Sequence, residues 1–366
     1  MRLTLVIHCL SGGGAERVMS IMSNYWAEKG LPITILTFVD STVPPSYDLD
    51  NRIHHIPLGI AGNSANKIIG VWNNWKCIQT LRRAIYESKP DAVVSFQEKT
   101  NAISLLATRG LNIPVVVSER NEPGKYHGII WEQLRQWTNH LASRIVIQTD
   151  RAKTHVSPKL EKRVRIIPNP VLFPTAGKYI SGKKLIRPAL IAMGRLEPQK
   201  GFDVLLRAFA HLKDIYPEWT LTILGEGRLR SELEILRDQL GLVNRVNLPG
   251  RVKNPYELLS QADIFVMSSR YEGFPNALCE AMACGIPVIS TDCPCGPREI
   301  IRDGVDGILV LNEDVSALAL AMKRLMDDEK ERQSLASRAP EVIERFSLDK
   351  VMAMWKAVID EAIAAT

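Results

Sequence analysis

The 366-residue chain has no long apolar segment. None of its apolar runs approaches the roughly 18 to 20 residues that a helix needs to cross a bilayer. The opening run from Leu3 to Leu10 is short and passes into glycines without a cleavage-like site, so it is predicted to be a buried first strand and not a signal peptide. We therefore expect a cytoplasmic protein.

Cysteine is also scarce, and its six residues are scattered through mostly apolar segments. This arrangement gives no disulfide framework. Cys279, Cys284, Cys293 and Cys295 do cluster in sequence, and a zinc site is one interpretation of them. Their spacing matches no common zinc pattern, so we favour small buried or loop thiols without a metal.

The charge of the chain is unevenly spread. Residues 1–180 carry 22 Lys and Arg against 13 Asp and Glu, a net of +9, whereas the remainder carries 24 against 27, a net of −3. Such asymmetry predicts that the first half faces an anionic partner. Because no recognised nucleic-acid motif is present, we expect an anionic membrane or a pyrophosphate-bearing lipid and no nucleic acid.

Short apolar strands alternate with helical patterns in two series, which predicts two doubly wound parallel α/β domains. The length also exceeds what one compact core usually holds. Residues 168–184 are rich in Pro, Gly and Lys and are predicted to be the linker, and a final helix is predicted over 347–365. The predicted strands are 3–9, 31–38, 92–95, 115–118, 145–148 and 164–167, then 189–193, 220–224, 245–248, 264–267, 287–290 and 307–310.

Two carboxylates flank a predicted helix start in the second series. Glu272 is placed on a loop and Glu280 on the first helical turns, with Pro275 at the first helical position. A helix N-terminus offers free N–H groups and positive dipole to a phosphate, while carboxylates accept hydrogen bonds from hydroxyls. This combination predicts a pocket for a sugar nucleotide.

Two cations and three glycines supply candidate phosphate contacts. Arg195 and Lys200 lie on a predicted strand-to-helix loop beside glycines, where fixed cations would neutralise a departing diphosphate without metal. Solvated loop charges are the alternative. Residues 12–14 are glycines before a helix predicted over 15–29, and they predict a phosphate cradle or a plain tight turn. They do not form the full dinucleotide-binding pattern, although glycines alone do not exclude such a site.

The spacing Glu272-x7-Glu280 and the segment Met193–Gly201 resemble retaining glycosyltransferases of the GT-B fold, family 4. Residues 12–17 and 292–301 are most similar to its bacterial polysaccharide and lipid-linked oligosaccharide branch, and the resemblance covers essentially the whole chain. It implies two Rossmann-like domains facing across a cleft. Residues 1–170 would bind the acceptor, with 347–366 crossing back onto them, and residues 185–346 would bind the donor.

The resemblance also implies the role of each site residue. A hexose or N-acetylhexosamine would pass from a nucleotide diphosphate, expected to be UDP, to a growing glycan on a polyprenyl-pyrophosphate lipid, without metal or other cofactor. The implied catalytic residues are Arg195 and Lys200 on the diphosphate and Glu272 on the donor sugar. The other implied donor contacts are Gly13, Gly14, Val252, Gly273, Phe274 and, on the ribose, Glu280.

The chain departs from the family at one place. Many members have a histidine where this chain has Ser118-Glu119-Arg120-Asn121, which puts any histidine base in doubt. Retention in the family is thought to proceed on one face, with the departing phosphate helping to deprotonate the acceptor, so no protein base is required. Arg120 is expected to grip an acceptor pyrophosphate and Glu119 to orient the acceptor hydroxyl. A structural ion pair between them is the alternative.

Residues 66–87 have apolar residues at helical spacing with cations between them. Trp72 and Trp75 share this pattern with Lys67, Lys76, Arg82 and Arg83, as in an interfacial helix. An ordinary helix packed on the first sheet is the alternative. The first interpretation predicts a peripheral protein on the inner face of the cytoplasmic membrane.

Two other functions remain open on the sequence. A GT-B sugar-nucleotide epimerase would share the fold and the nucleotide pocket. An inactive GT-B subunit that binds a partner enzyme is a hypothesis of another class. Its expected signature is the loss of Arg195, Lys200 or Glu272, and all three are present.

Overall fold

The computed structural model describes residues 1–62, 67–120, 128–173, 182 and 184–366, without the side chains of residues 67–74 and 128–131. Contacts divide the chain into two units. The first comprises Met1–Asn169 and Asp349–Thr366, and the second comprises Pro170–Leu348. The predicted linker spans this boundary, and its residues 174–181 and 183 lie outside the described residues.

In the described part of the first unit, seven parallel strands form a sheet in the order β3-β2-β1-β4-β5-β6-β7. The strands are β1 Leu3–Ile7, β2 Ile33–Thr37, β3 His54–Pro57, β4 Ala92–Phe96, β5 Val115–Ser118, β6 Arg144–Ile147 and β7 Val164–Ile166. The helices are α1 Gly14–Glu28, α2 Lys67–Ser88, α3 Glu98–Thr108 and α4 Gly128–Asn139.

Strand β3 was not predicted. Its sequence, His54 to Pro57, contains two histidines and is partly exposed, and the strand lies at the edge of the described sheet, paired with β2. An edge position tolerates the proline because its missing N–H leaves no buried ladder partner unpaired. By contrast β1, β2, β4 and β5 are buried along their whole length, as expected for parallel strands covered on both faces.

Among the described residues of the second unit, six parallel strands form a sheet in the order β10-β9-β8-β11-β12-β13. Its strands are β8 Ala189–Met193, β9 Thr220–Leu224, β10 Val246–Gly250, β11 Ile264–Met267, β12 Val288–Thr291 and β13 Ile308–Val310. Its helices are α5 Phe202–Ala210, α6 Arg230–Gln239, α7 Tyr256–Leu259, α8 Asn276–Ala283, α9 Pro297–Ile300, α10 Val315–Asp327, α11 Glu329–Arg338 and α12 Glu341–Arg345.

Alternate residues of the central strands of this sheet supply two apolar clusters. Leu190 and Ala192 of β8 belong to one cluster, and Ile191 between them belongs to the other. Because successive side chains of a strand point to opposite faces, the sheet is buried on both sides. Because the sheet is packed on both faces, the loops at the carboxyl ends of its strands are attached to a rigid support.

The last helix, α13 (Leu348–Ala364), makes its contacts in the first unit. Trp355 is fully buried with its ring centroid 5.8 Å from that of Phe96, and Glu361 bonds both Arg144 and Arg165. Within the described ranges, no helix combines the length and apolar character needed to span a bilayer.

Candidate active site

Two loops of the second unit carry the predicted donor contacts. The cation loop, residues 194–201, joins β8 to α5 and contains Arg195 and Lys200. The carboxylate loop, residues 268–275, joins β11 to α8 and contains Glu272. Since β8 and β11 are neighbouring parallel strands, both loops leave the same edge of the sheet, where ligands of doubly wound sheets bind.

The structure brings Lys200 and Glu272 into direct contact. The Lys200 ammonium lies 2.5 Å from Glu272 Oε1, and the two side chains are only 16% and 7% exposed. Ser269 Oγ donates a second hydrogen bond of 2.6 Å to the same carboxylate oxygen. A partly buried Lys–carboxylate pair beside a helix start is therefore the central feature of this site.

Arg195 differs from Lys200 in its surroundings. It is exposed, and its guanidinium has no hydrogen bond or ion pair to any described residue. Its side chain is thus available to an anion without breaking an existing contact. Lys200 by contrast must exchange Glu272 for a phosphate oxygen, or share its ammonium between the two.

Glycines allow the two loops to approach each other. Gly201 has φ +60°, and a Cβ placed on it would lie 2.1 Å from the carbonyl oxygen of Ser268. A Cβ on Gly194 would lie 3.0 Å from the aliphatic stem of Lys200. Any side chain at position 201 would therefore push the loops apart.

The helix start after Glu272 differs from the prediction by one residue. Helix α8 begins at Asn276, so Pro275 is the N-cap with φ −74° and ψ 96°, and it is not the first helical residue. The extended ψ of Pro275 is a non-helical cap conformation, which is what an N-cap position adopts. Glu280 lies in the second turn of α8 and is 8% exposed.

The remaining predicted donor contacts would be made mainly by backbone groups. The Phe274 side chain is buried and packs edge-on against Phe346 at 5.2 Å between centroids. The carbonyl oxygen of Gly273 would lie 3.0 Å from a Cβ on Gly296, so the segment around Gly296 supports this turn. Val252 packs partly against the apolar cluster that contains Phe274.

In the first unit α1 begins at Gly14, one residue earlier than predicted, so Gly12 and Gly13 precede the helix, and a carboxylate covers this loop. Gly13 is the N-cap of α1, and a Cβ on it would lie 2.3 Å from Glu16 Oε2. Gln97 Nε2 donates to Glu16 Oε1 at 3.1 Å, and Tyr47 donates to the carbonyl oxygen of Gly13. Glu16 thus occupies the positive end of the helix where an anion would bind. Glu16 was not predicted as a site residue, although its position in the first turn of the predicted helix could have indicated it.

Glu119 and Arg120 do not pair with each other, but Glu119 does form a structural ion pair, with Arg135. Glu119 accepts two hydrogen bonds from Arg135, at 2.7 and 2.9 Å, and one from Asn139 at 2.8 Å. Its side chain is 2% exposed. A carboxylate with its oxygens engaged in this way argues against direct contact with an acceptor hydroxyl, and that role stays a prediction.

Arg120 is buried without a carboxylate partner among the described residues. Its guanidinium carbon lies 3.7 Å from the centroid of the Phe96 ring, and Nη1 donates to Asn169. Nε and Nη2 have no hydrogen-bond partner in the described part of the chain. Burial lowers the pKa of Arg120 to about 9, so the side chain remains charged at neutral pH. A buried cation of this kind would gain from a bound anion.

Replacing Arg120 by methionine is expected to leave stability unchanged or raise it by up to about 2 kcal/mol, since the change removes a buried charge that has no carboxylate partner among the described residues. Stacking on Phe96 offsets part of the original cost. If Arg120 grips an acceptor phosphate, transfer falls in the same variant. Chemical unfolding together with a transfer assay checks both outcomes. A destabilisation of several kcal/mol would show that Arg120 is a structural support.

The cysteines that cluster in sequence are not placed together as a metal-ligand group in the described part of the chain. Cys279, Cys293 and Cys295 are buried, and burial is the main cause that raises the pKa of Cys284 to about 12. Among the described residues, no group of three or more His, Cys, Asp or Glu side chains is placed to hold a metal ion. The zinc interpretation of these thiols is therefore not supported by their placement.

Family models match both units of the chain. Residues 12–171 match the family model Glycosyltransferase Family 4, and residues 178–342 match Glycosyl transferases group 1. A Campylobacter jejuni protein named GalNAc-alpha-(1->4)-GalNAc-alpha-(1->3)-diNAcBac-PP-undecaprenol alpha-1,4-N-acetyl-D-galactosaminyltransferase is 28% identical over 99% of both chains.

Solved structures share the fold at low identity. Sucrose-phosphate synthase from Thermosynechococcus elongatus superimposes with a TM-score of 0.85 at 16% identity, covering 100% of both chains. Anabaena Alr3699/HepE in complex with UDP and glucose gives a TM-score of 0.80 at 18% identity, covering 98% of this chain and 99% of that one.

Two parallel Rossmann-like sheets, of seven and six strands among the described residues, and the fold shared with the solved structures define a GT-B protein, so the predicted fold class is confirmed. The chain belongs to glycosyltransferase family 4, and it is a glycosyltransferase.

Proposed function

We propose that this protein is a retaining, metal-independent glycosyltransferase that extends a lipid-linked glycan from a nucleotide-sugar donor. The observation that carries the proposal is the contact between Lys200 and Glu272 beside the exposed Arg195. These groups match the two halves of a sugar nucleotide. Cations suit its diphosphate, and a carboxylate suits its sugar hydroxyls.

The chemistry follows from where charge develops. Cleavage of the bond between the sugar and the diphosphate leaves negative charge on the departing phosphate, which fixed cations stabilise. Lys200 and Arg195 would supply this stabilisation. As the Lys200 ammonium turns to phosphate, Glu272 Oε1 would keep the hydrogen bond from Ser269 and accept one from a sugar hydroxyl. Glu280 would bind the ribose, and the backbone at Gly273, Phe274 and Val252 would contact the sugar and base.

Relatives support the choice of substrates. The Campylobacter jejuni protein is named for transfer of N-acetylgalactosamine to an undecaprenol-diphosphate glycan, and the Anabaena structure contains UDP and glucose. We therefore propose a UDP-linked hexose or N-acetylhexosamine as donor and a glycan on polyprenyl pyrophosphate as acceptor. An acceptor of this kind would place the protein peripherally at the inner face of the cytoplasmic membrane.

A panel of nucleotide sugars tests the proposal. The purified chain is mixed with UDP-, GDP-, ADP- and dTDP-sugars and scored for thermal stabilisation and slow donor hydrolysis, with Lys200→Ala as the matched variant. One nucleotide series should stabilise the wild-type chain and be hydrolysed, and both signals should weaken in Lys200→Ala. Absence of both signals for every donor would contradict the proposal. Free nucleotide with epimerised sugar would identify an epimerase instead.

Membrane docking by helix α2 gives a separate prediction. Trp75 is 54% exposed and Lys76 is exposed, whereas Arg82 donates to the carbonyl oxygens of Ala107 and Arg109 and Arg83 pairs with Glu87. The Lys67 and Trp72 side chains lie outside the described residues. The C-terminal half of α2, including the buried Leu81 and Ile85, packs as an ordinary core helix.

We expect the chain to co-sediment with anionic liposomes at low salt and to be released as salt rises, because each cation near such a surface contributes only about 1 kcal/mol. A Trp75→Ser, Lys76→Gln variant should bind more weakly, and Arg83→Gln should bind nearly as well as wild type. Equal binding to neutral and anionic vesicles would contradict the prediction.

A further inference from the structure

An arginine connects the two loops of the donor site. Arg270 lies on the carboxylate loop, two residues before Glu272. Its guanidinium donates to the carbonyl oxygen of Pro198 at 2.8 Å, two residues before Lys200 on the cation loop. It also donates to both carboxylate oxygens of Asp203, at 2.9 and 2.7 Å, and to Glu313 at 2.7 Å.

We propose that Arg270 is a positioning residue that fixes the distance between Lys200 and Glu272 by holding the cation loop against the carboxylate loop. The inference rests on the proposed function, since it concerns how that site is kept ready for a donor. Arg270 would act through Lys200 and Glu272 and would not itself touch substrate.

The number of guanidinium N–H groups engaged in hydrogen bonds supports this role. Arginine has five N–H donors, and the bonds to Pro198, Asp203 and Glu313 use four of them. The planar fork matches the Asp203 carboxylate at two points, a geometry that lysine does not reproduce. Because Asp203 is the second residue of α5, the contact anchors the cation loop at the point where it enters the helix.

Further hydrogen bonds tie the same two loops to each other. The amide of Arg270 donates to the carbonyl oxygen of Gln199 at 2.8 Å, and Gln199 Nε2 donates to that of Tyr271 at 3.0 Å. Ser268 Oγ donates to the carbonyl oxygen of Lys200 at 2.9 Å. A shift of one loop would therefore break bonds in the other and displace one partner of the Lys200–Glu272 pair.

Charge favours the same arrangement. Burial, the largest single influence, would raise the pKa of Asp203, but the hydrogen bonds and positive charge of Arg270, together with the backbone N–H groups of Asp203 and Val204, lower it overall. The carboxylate is thus held ionised by Arg270. Removal of the guanidinium would leave a half-buried charge next to the first turn of α5, and that end of the cation loop would lose its anchor.

The test compares Arg270→Met and Arg270→Lys with Arg324→Met in the full-length protein. Arg324 makes an equivalent two-point contact with Glu331 in the same unit, so its variant is a matched control. Hydrogen–deuterium exchange of the ligand-free chains reports the two loops without any donor. If the wild-type protein is active, steady-state donor turnover gives kcat and KM for each variant.

We expect Arg270→Met to accelerate exchange in residues 194–201 and 268–275 and to leave the rest of the second unit unchanged. Its kcat/KM should fall by roughly 10- to 100-fold, as expected when reacting groups are displaced by about 1 Å. Arg270→Lys should recover part of both effects, and Arg324→Met should match wild type.

Unchanged loop exchange and unchanged kcat/KM in Arg270→Met would overturn the inference. An equal loss of protection throughout the second unit would do the same, because it would show a merely structural role. If Arg270→Met does not fold, the same two measurements are made on Asp203→Asn. If the wild-type chain turns over no donor, the proposed function fails, and the exchange data still decide whether Arg270 holds the loops.

Discussion

Replacing Lys200 by alanine is expected to lower transfer by on the order of a hundredfold or more, because a cation that stabilises the departing diphosphate is lost. The same change leaves Glu272 without its ion-pair partner in a site where both side chains are mostly buried. Initial rates at saturating donor, measured on folded protein, check the prediction.

The control for Lys200→Ala is Lys323→Ala. Lys323 also lies 2.5 Å from a carboxylate, that of Asp327, but this pair is exposed on α10. Surface pairs of this type contribute little to stability. Wild-type turnover in Lys200→Ala, or an equal loss in Lys323→Ala, would contradict the role given to Lys200.

Arg195→Ala should also reduce transfer by on the order of a hundredfold. Its guanidinium is exposed and unpaired within the described residues, so this variant should unfold at the wild-type denaturant concentration. Loss of activity with unchanged stability would therefore report on charge stabilisation alone.

The second large effect concerns folding of the first unit. Arg135→Met should destabilise the protein by about 3 to 5 kcal/mol, because the buried Glu119 would lose two of its hydrogen bonds and its counter-charge. Arg135 also donates to Glu132 and to the carbonyl oxygen of His155. Denaturant unfolding of the variant measures the loss.

A double variant provides the control. Glu119→Gln combined with Arg135→Met removes both charges, so it should be markedly more stable than Arg135→Met alone. If the single and double variants unfold at the same denaturant concentration, the pair is not a coupled buried salt bridge.

The contact between Arg135 and Glu132 should make the stability of the protein depend on pH. Hydrogen bonds from Arg135 are the main cause that lowers the pKa of Glu132 below its ordinary value of 4.5. A lowered carboxyl pKa stabilises the fold above the unfolded value, and the contribution is lost as pH falls through the folded value. The stability gained from this contact should therefore disappear in acid, below about pH 4.5.

Most of the fold could be predicted because parallel strands covered on both faces are continuous apolar runs. The predicted β5, β8, β9 and β11 have the bounds seen in the structure. Strand β3 was missed because an edge strand need not be apolar, and the sequence His54 to Pro57 gives no alternating pattern. The Pro275 error has a similar cause, since a proline is compatible with both N-cap and first helical position.

Side-chain partners far apart in sequence could not be predicted in the same way. Glu119 pairs with Arg135 sixteen residues later on α4, and no local pattern distinguishes that partner from the adjacent Arg120. The contact between Lys200 and Glu272 joins residues 72 positions apart, and only the family resemblance assigned both residues to one site. For the same reason the contacts of Arg270 and Gln97 could not be predicted, because they depend on packing between neighbouring loops.

The configuration of the new glycosidic bond, followed by NMR with the preferred donor in excess EDTA, tests the proposed retaining, metal-independent transfer most directly. We expect transfer to persist in EDTA and the product to have the same anomeric configuration as the donor. An inverted product, or activity that is lost in EDTA and restored only by Mn²⁺, would contradict it.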